Sequence, residues 1–463
     1  MIINYKLEFM LGQKQGGKVK IARFCEKTKK VQSVKDHLDN VSAYCVNRAR
    51  GINLENTAHI IGLLHDMGKL SVDFQEYIEG ILNNNDKQKG SKVDHAVFGA
   101  RYIYEKYKDG NRMEQYSSQV IALVVCYHHG GLPDCINTDK KITLIERINK
   151  VCDSKYKKVS EEFECIYGKE QIDYLFAKAN HEIEKFLKNI YESTDKENLS
   201  FMVHLLIKVL YSILIDSDWL DSYLFEVNKP YSERTALVDD IDYYIDNLED
   251  KLNRFRELKP VSEKQKIVFD KRNEIADDCL ESSSNSTGVY TLTVPTGGGK
   301  TLSSLRFALN HVKNQSEGFG KERIFYIAPY TSIIEQNAKE VRKIIKCGEN
   351  LLEYHSNVLD EASEEDMVYE EKNDVKVLSD RWDYHFVFTT MVQFLNTLYG
   401  APTSNIRRLQ SLSNSVIIFD EVQSIPLQCG LKYLIPNFIF VLFDVTPFMG
   451  VWIEIVISVI YII

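Results

Sequence analysis

The chain has 463 residues and a mass of 53.5 kDa, too long for one compact core at roughly 100–200 residues per domain. Its 44% hydrophobic and 27% charged residues are the balance of a globular protein and exclude a disordered or collagenous one. A net charge of −9 requires any nucleic-acid contact to come from a local basic groove, and nine cysteines without a C-x-x-C pair exclude a disulfide framework or a cysteine zinc site.

The first residues, MIINYKLEFMLGQKQGGK, contain no apolar stretch of signal-peptide length, and the cysteine usage suits a reducing cytoplasm. From about residue 30 to 255 the pattern is helical. Apolar residues recur at helical spacing in VSAYCVNRA, TAHIIGLLH, SSQVIALVV and FMVHLLIKVLYSILI, with breaks at Gly68, at Gly130-Gly131-Leu132-Pro133 and at Lys229-Pro230. Residues 281–288, ESSSNSTG, read as a loop. Short β-rich runs then alternate with helical segments: VYTLTV, RIFYIAP, HFVFTT and SVIIFD, the signature of a parallel α/β sheet. The acidic stretch 360–374 reads as solvated surface. The expected fold class is therefore mixed: an all-α domain at 1–255, a linker at 256–288, an α/β P-loop lobe at 289–432 and an apolar tail at 433–463.

Histidines carry the chemistry of the first half. His59, His181 and His204 read as structural residues. His37, His65-Asp66, His95, His128-His129 and Asp218 form a different pattern, because the paired ligands fall where apolar helices end. Imidazole and carboxylate together ligate divalent metals, and a shared Asp can bridge two of them. A set rich in histidine favours Mn, Fe, Co or Ni over Mg, which prefers oxygen ligands.

At KDHLDNV (35–41), LLHDMGKLSVDFQEY (63–77), DHAVFGA (94–100), YHHGGLPD (127–134) and LIDSDWLD (214–221) the sequence resembles the HD superfamily of metal-dependent phosphohydrolases. More narrowly, it resembles the HD nuclease domain of the CRISPR-associated type I helicase–nuclease family. By position, the resemblance implies one metal on His37, His65, Asp66 and Asp218, and a second on Asp66, His95, His128 and His129. The family's Ala-Asp is Ser217-Asp218 here, which makes Asp216 a rival ligand. Lys69 is either a scissile-phosphate contact or a solvated helix-end lysine.

The second half carries a nucleotide site. In VYTLTVPTGGGKT (289–301) a strand, a Gly-rich turn and a helix start follow one another, so that backbone N–H groups at Thr296, Gly297, Gly298 and Gly299 can cradle phosphates. Lys300 reaches the β/γ-phosphates of ATP and Thr301 binds Mg²⁺. Val294 replaces the first Gly of the general motif, and the form P-T-G-x-G-K-T resembles superfamily 2 helicases. SVIIFDEVQ (415–423) supplies Asp420 for Mg²⁺ and Glu421 for the attacking water.

PYTSIIEQNA, EYHSN and FVFTTMVQF also resemble the helicase–nuclease family, making Thr331, Gln336, Thr389, Thr390 and Gln393 candidate DNA contacts, with Arg407 and Arg408 as further ones. The resemblance implies a cytoplasmic DNA nuclease acting on single-stranded DNA opened by an RNA-guided surveillance complex, with ATP and Mg²⁺ on the helicase lobe. The alternative is an HD phosphohydrolase of small nucleotides with a regulatory NTP site. No Ser/Thr-Ala-Thr motif follows DEVQ, so the expected chain is a truncated member with helicase activity lost, unless a separate chain carries the second lobe. In the tail, Asp444, Glu454, Pro447 and Gly450 interrupt the apolar run and argue against a membrane anchor, while VTPFMGVWIEI (445–455) resembles a translated CRISPR repeat.

Overall fold

The structure, a computed structural model, describes residues 19–82, 94–133, 142–193, 199–230, 235–294, 297–315, 321–355, 379–421 and 458–462. The chain divides into two compact units. The first runs from the start of the chain to residue 232 and the second from 233 onward, apart from two three-residue pieces, 193–195 and 401–403, that fall with the opposite unit.

The first unit opens with an antiparallel pair, β1 (Ile21–Phe24) and β2 (Val31–Ser33). Among the described residues nine helices follow: α1 (Val34–Ala49), α2 (Glu55–Leu64), α3 (Val72–Leu82), α4 (Ala96–Tyr107), α5 (Arg112–Tyr127), α6 (Thr143–Ile148), α7 (Asp153–Tyr167), α8 (Lys169–Ser193) and α9 (Leu199–Val227). A 3₁₀ turn, Met67–Leu70, links α2 to α3. Ser33 caps α1 by accepting from the Asp36 amide, and Asn111 with Glu114 forms a capping box on α5. Leu38, Val41 and Cys45 of α1 are buried, as are Ile60, Ile61 and Leu64 of α2, Ile121, Val124 and Val125 of α5, and Leu206, Leu210 and Leu214 of α9. Each such aliphatic side chain contributes about 1.5–3 kcal/mol on burial, so the helix ends at His65 and His128 rest on a dense core.

The second unit begins with α10 (Leu237–Arg256) and α11 (Glu263–Ser282). This corrects the expected boundaries, which gave residues up to 255 to the first domain and 256–288 to a linker. Leu237, Ile241, Tyr244, Ile245, Leu248 and Leu252 of α10 and Cys279 of α11 share one core with the P-loop unit. Polar contacts reinforce this. Buried Arg306, on α12 (Lys300–Asn314), holds Glu249 at 2.6 and 2.7 Å and Asp277 at 2.8 Å, tying α10 and α11 to the helix behind the P-loop.

The remaining elements are β3 (Val289–Thr291), β4 (Arg323–Ala328), α13 (Thr331–Ile345), β5 (Leu351–Tyr354), β6 (Phe386–Thr390), α14 (Met391–Tyr399), β7 (Ser415–Asp420) and β8 (Ser458–Ile462). The sheet order is β3-β8-β7-β4-β6-β5. β4, β5, β6 and β7 pair in parallel, as the alternation predicts, whereas β8 lies antiparallel between β7 and β3. Within the expected apolar tail, residues 458–462 form this strand, whose backbone pairs on both edges. Residues 433–457, the acidic stretch 360–374 and the repeat-like segment 445–455 lie outside the described residues. No helix among the described residues is long and apolar enough to cross a membrane.

Candidate metal centre and nucleotide site

His65 follows α2 directly, with Asp66 beside it, and His128 occupies the same position after α5. In both, the ring turns back on its own helix: Nδ1–H donates to the carbonyl three residues earlier, Gly62 for His65 (2.7 Å) and Val125 for His128 (2.8 Å). That bond fixes the tautomer and leaves each Nε2 lone pair directed inward. His37 comes from the buried face of α1, His95 precedes α4, and Asp218 lies on α9.

These residues meet in two groups. His37, His65, Asp66 and Asp218 offer ligand atoms within 4.8 Å of one another, as do Asp66, His95, His128 and His129. Asp66 belongs to both, with one oxygen for each. Its Oδ2 lies 3.0 Å from His37 Nε2 and 3.4 Å from His65 Nε2; its Oδ1 lies 3.1 Å from His95 Nε2, 3.3 Å from His128 Nε2 and 3.8 Å from His129 Nε2. Asp218 Oδ1 is 3.6 Å from His37 and 3.8 Å from His65. Asp216, the rival ligand, is buried on the same helix but belongs to neither group.

The donor set fits divalent metal. Buried Asp66 Oδ1 and His128 Nε2 have no hydrogen-bond partner. Elsewhere nitrogen faces nitrogen, His65 Nε2 at 3.2 Å from His37 Nε2 and His95 Nε2 at 2.8 Å from His129 Nε2. Lone pairs converge like this only around a cation or a proton. Electrostatics agree: burial opposes charge on His65, yet the Asp66 and Asp218 carboxylates push it up to about 9. Asp66 stays well below the usual carboxylate range despite its burial, because Lys69, His65 and His95 surround it. Burial and neighbouring His128 depress His129 to about 3. The site is built to hold positive charge between its ligands.

Lys69 is buried and its ammonium lies 2.6 Å from Asp66 Oδ2, which corrects the reading of a solvated helix-end lysine. Four neighbours were missed by sequence reasoning. Asp221, one turn beyond Asp218, accepts from His37 Nδ1 at 2.7 Å. Gln32 and Asn40 donate amide hydrogens to the same carboxylate. Arg23 of β1 lies 3.5 Å from Asp218 and 3.7 Å from Asp221. The D-x-x-D spacing on one helix face was the available signal for Asp221.

In the second unit, Gly297 (φ +83°) and Gly299 (φ +87°) shape the turn before α12, a left-handed backbone that disfavours any side chain. Lys300 opens α12, with Thr301 next, and Lys300 Nζ lies 3.6 Å from Glu421 Oε1. Asp420 ends β7, and its Oδ2 accepts from the buried Tyr326 hydroxyl at 2.6 Å. Asn337 donates to the same hydroxyl at 3.1 Å. Burial and the Asp420 carboxylate raise Tyr326 well above its usual pKa, so it stays a donor. Thr296 lies outside the described residues; Gly298 stands in the turn between Gly297 and Gly299.

Of the candidate DNA contacts, Thr389 is buried and donates to the Tyr354 carbonyl, while Thr390 caps α14 through the Gln393 amide. Thr331 opens α13, and Gln336 is exposed on it. Arg407 and Arg408 are corrections: both are buried, and Arg408 packs its guanidinium over the rings of Tyr354 and Trp382.

A ligand-converging helical unit followed by a P-loop sheet defines an HD-type metallohydrolase fold joined to a helicase-type nucleotide-binding lobe. Residues 23–223 match the family described as Cas3, HD domain, and residues 273–430 match the DEAD/DEAH box helicase family. The two matches, in this order along one chain, support a place in the CRISPR-associated Cas3 HD–helicase family. It is 23% identical over 425 residues to the CRISPR-associated nuclease/helicase Cas3 of Haloferax volcanii, covering 84% of this chain and 44% of that one. A crystal structure of T. fusca Cas3 shares the fold at a TM-score of 0.50 and 14% identity, covering 88% of this chain and 47% of that chain. The chain thus spans less than half the length of these relatives.

Proposed function

We propose that the first unit is a metal-dependent nuclease that cuts single-stranded DNA, and that the second binds ATP. The observation that carries the reading is the sharing of buried Asp66 between two groups of candidate ligands. His37, His65 and Asp218 would hold one ion with Asp66, and His95, His128 and His129 a second. The histidine-rich set favours Mn, Fe, Co or Ni. When bound, such a pair activates water and stabilises the attacking and leaving oxygens of a phosphodiester.

The chain's own residues set the stage. Asp66 and Asp218 are held as anions, and His65 and His128 present Nε2 because their Nδ1–H groups are engaged. Lys69, beside Asp66, adds the positive charge a scissile phosphate needs. In the second unit Gly297, Gly298, Gly299, Lys300 and Thr301 would cradle the phosphates of Mg-ATP, Asp420 the Mg²⁺, and Glu421 the attacking water. Thr296 is the further candidate of that loop.

The family supports a place in CRISPR antiviral defence in the cytoplasm, with DNA presented by an RNA-guided complex in which pairing reads the sequence. Unwinding would further need a second lobe across the nucleotide from Lys300, from a longer form of this polypeptide or from a separate chain. The nuclease test uses circular single-stranded DNA and free nucleotides under Mn²⁺ or Ni²⁺. Asp66→Ala should abolish DNA cleavage while the protein stays folded by circular dichroism. Parent-like cutting by that variant, or turnover of free nucleotides alone, refutes the reading. Calorimetry with Mg-ATP should show binding that Lys300→Ala loses; equal affinity refutes the nucleotide assignment.

A further inference from the structure

We propose that Asp221 is the positioning residue that makes His37 a metal ligand, a role that rests on the metal-nuclease reading above. His37 differs from His65 and His128, because it sits in the first turn of α1 and its ring bonds to Asp221 of another helix, not to its own. Its Nδ1 lies 2.7 Å from Asp221 Oδ2, and its Nε2 lies 3.0 Å from Asp66 Oδ2 and 3.2 Å from His65 Nε2. A carboxylate can only accept, so Asp221 takes the Nδ1–H and leaves the Nε2 lone pair for the ligand group.

Asp221 is itself immobilised. It is buried, with Asn40 Nδ2 donating to Oδ1 at 2.9 Å and Gln32 Nε2 lying 3.1 and 3.0 Å from its two oxygens. Arg23 adds a guanidinium at 3.7 Å, whose Nη2 also lies 3.0 Å from His37 Nδ1 and 3.3 Å from its Nε2; the shorter 2.7 Å contact to Asp221 is the one that holds the Nδ1 proton. Every neighbour is a donor, and this carboxylate is the acceptor they share. An amide at position 221 has one acceptor oxygen. If that oxygen serves Gln32 and Asn40, its NH₂ turns to His37 Nδ1 and forces the ring proton onto Nε2, where it blocks ligation. Asp221→Asn therefore inverts the His37 tautomer with almost no change of shape.

The test uses the full chain, stripped of metal by a chelator, with histidine selectively labelled. Ring ¹³C and ¹⁵N shifts, assigned with His37→Ala, should report Nδ1–H at His37 in the parent and Nε2–H in Asp221→Asn. Calorimetric titration with Mn²⁺ should show a 10–100-fold weaker site in Asp221→Asn, approaching the loss in His37→Ala. Nε2–H at His37 in the parent overturns the proposal without recourse to any variant. Parent-like Mn²⁺ affinity in Asp221→Asn, with the site lost in His37→Ala, overturns the role of Asp221 alone. Parent-like affinity in both overturns the metal assignment of this cluster, and the proposal with it.

Discussion

Gly68→Ala is the sharpest probe of how the metal centre is built. A Cβ at this position would lie 2.2 Å from the His95 carbonyl oxygen, 2.7 Å from His95 Cα and 2.6 Å from a Phe98 ring carbon. Ordinary contact begins near 3.4 Å, so backbone must separate from backbone by about 1 Å. The two segments forced apart each carry a ligand of the second group: the turn after Asp66, and His95 at the start of α4. The 3.1 Å approach of Asp66 Oδ1 to His95 Nε2 cannot survive that shift. Overpacking of this kind costs about 1–3 kcal/mol, read as a lower urea midpoint. Mn²⁺ stoichiometry should fall by one site, and DNA cleavage should fall with it. Gly130→Ala is the control, since a Cβ there meets nothing within 4 Å and should stay within about 0.5 kcal/mol of the parent. A Gly68→Ala protein with parent stability and full Mn²⁺ stoichiometry would refute the reasoning.

Two further outcomes follow from the second unit. Tyr326→Phe removes the donor to Asp420 and leaves buried Asn337 without its acceptor, so it should cost about 1–3 kcal/mol and weaken Mg-ATP binding more than Mg-free ATP binding; equal loss of both would dissociate Tyr326 from the Mg²⁺ ligand. Burial depresses His311, against Phe307, from 6.5 to about 4. A folded pKa below the unfolded one means that the unfolded chain binds more protons between pH 6.5 and 4, so stability falls as pH drops through that window. The expected loss between pH 7 and 5 is about 2 kcal/mol, and urea titrations should show it disappearing in His311→Asn. A parent-sized loss in the variant would sink the assignment.

The positions of the candidate ligands at helix ends were legible in the sequence, because His65-Asp66 and His128-His129 each close an apolar periodic run. What the sequence did not disclose was partnership. The amphipathic stripe of residues 237–256 looks like that of any helix before it, and only the core it shares with Phe307, Leu309 and their neighbours assigns it to the P-loop unit. Arg407 and Arg408 read as candidate DNA contacts, yet both are buried, and the packing of Arg408 over Tyr354 and Trp382 depends on aromatic residues distant in the chain. IVISVIYII is continuous in apolar character, so period alone could not distinguish a paired strand from a tail. Asp221 was hidden for a different reason: the D-x-x-D spacing places it on the same helix face as Asp218, but spacing alone does not say that it meets His37 Nδ1.

The short bonds from His65 to Gly62 and from His128 to Val125 bear on when the cost of order is met. Each is closed within a single helical turn, so ring orientation is settled as the helix forms. Freezing a rotamer-rich side chain on binding costs about 0.5–1.5 kcal/mol, and here folding has already absorbed that cost for both rings. Preorganisation of this kind separates the centre from small metal domains, in which the ion supplies the fold itself. A chelator should accordingly strip the ions and leave the helices standing.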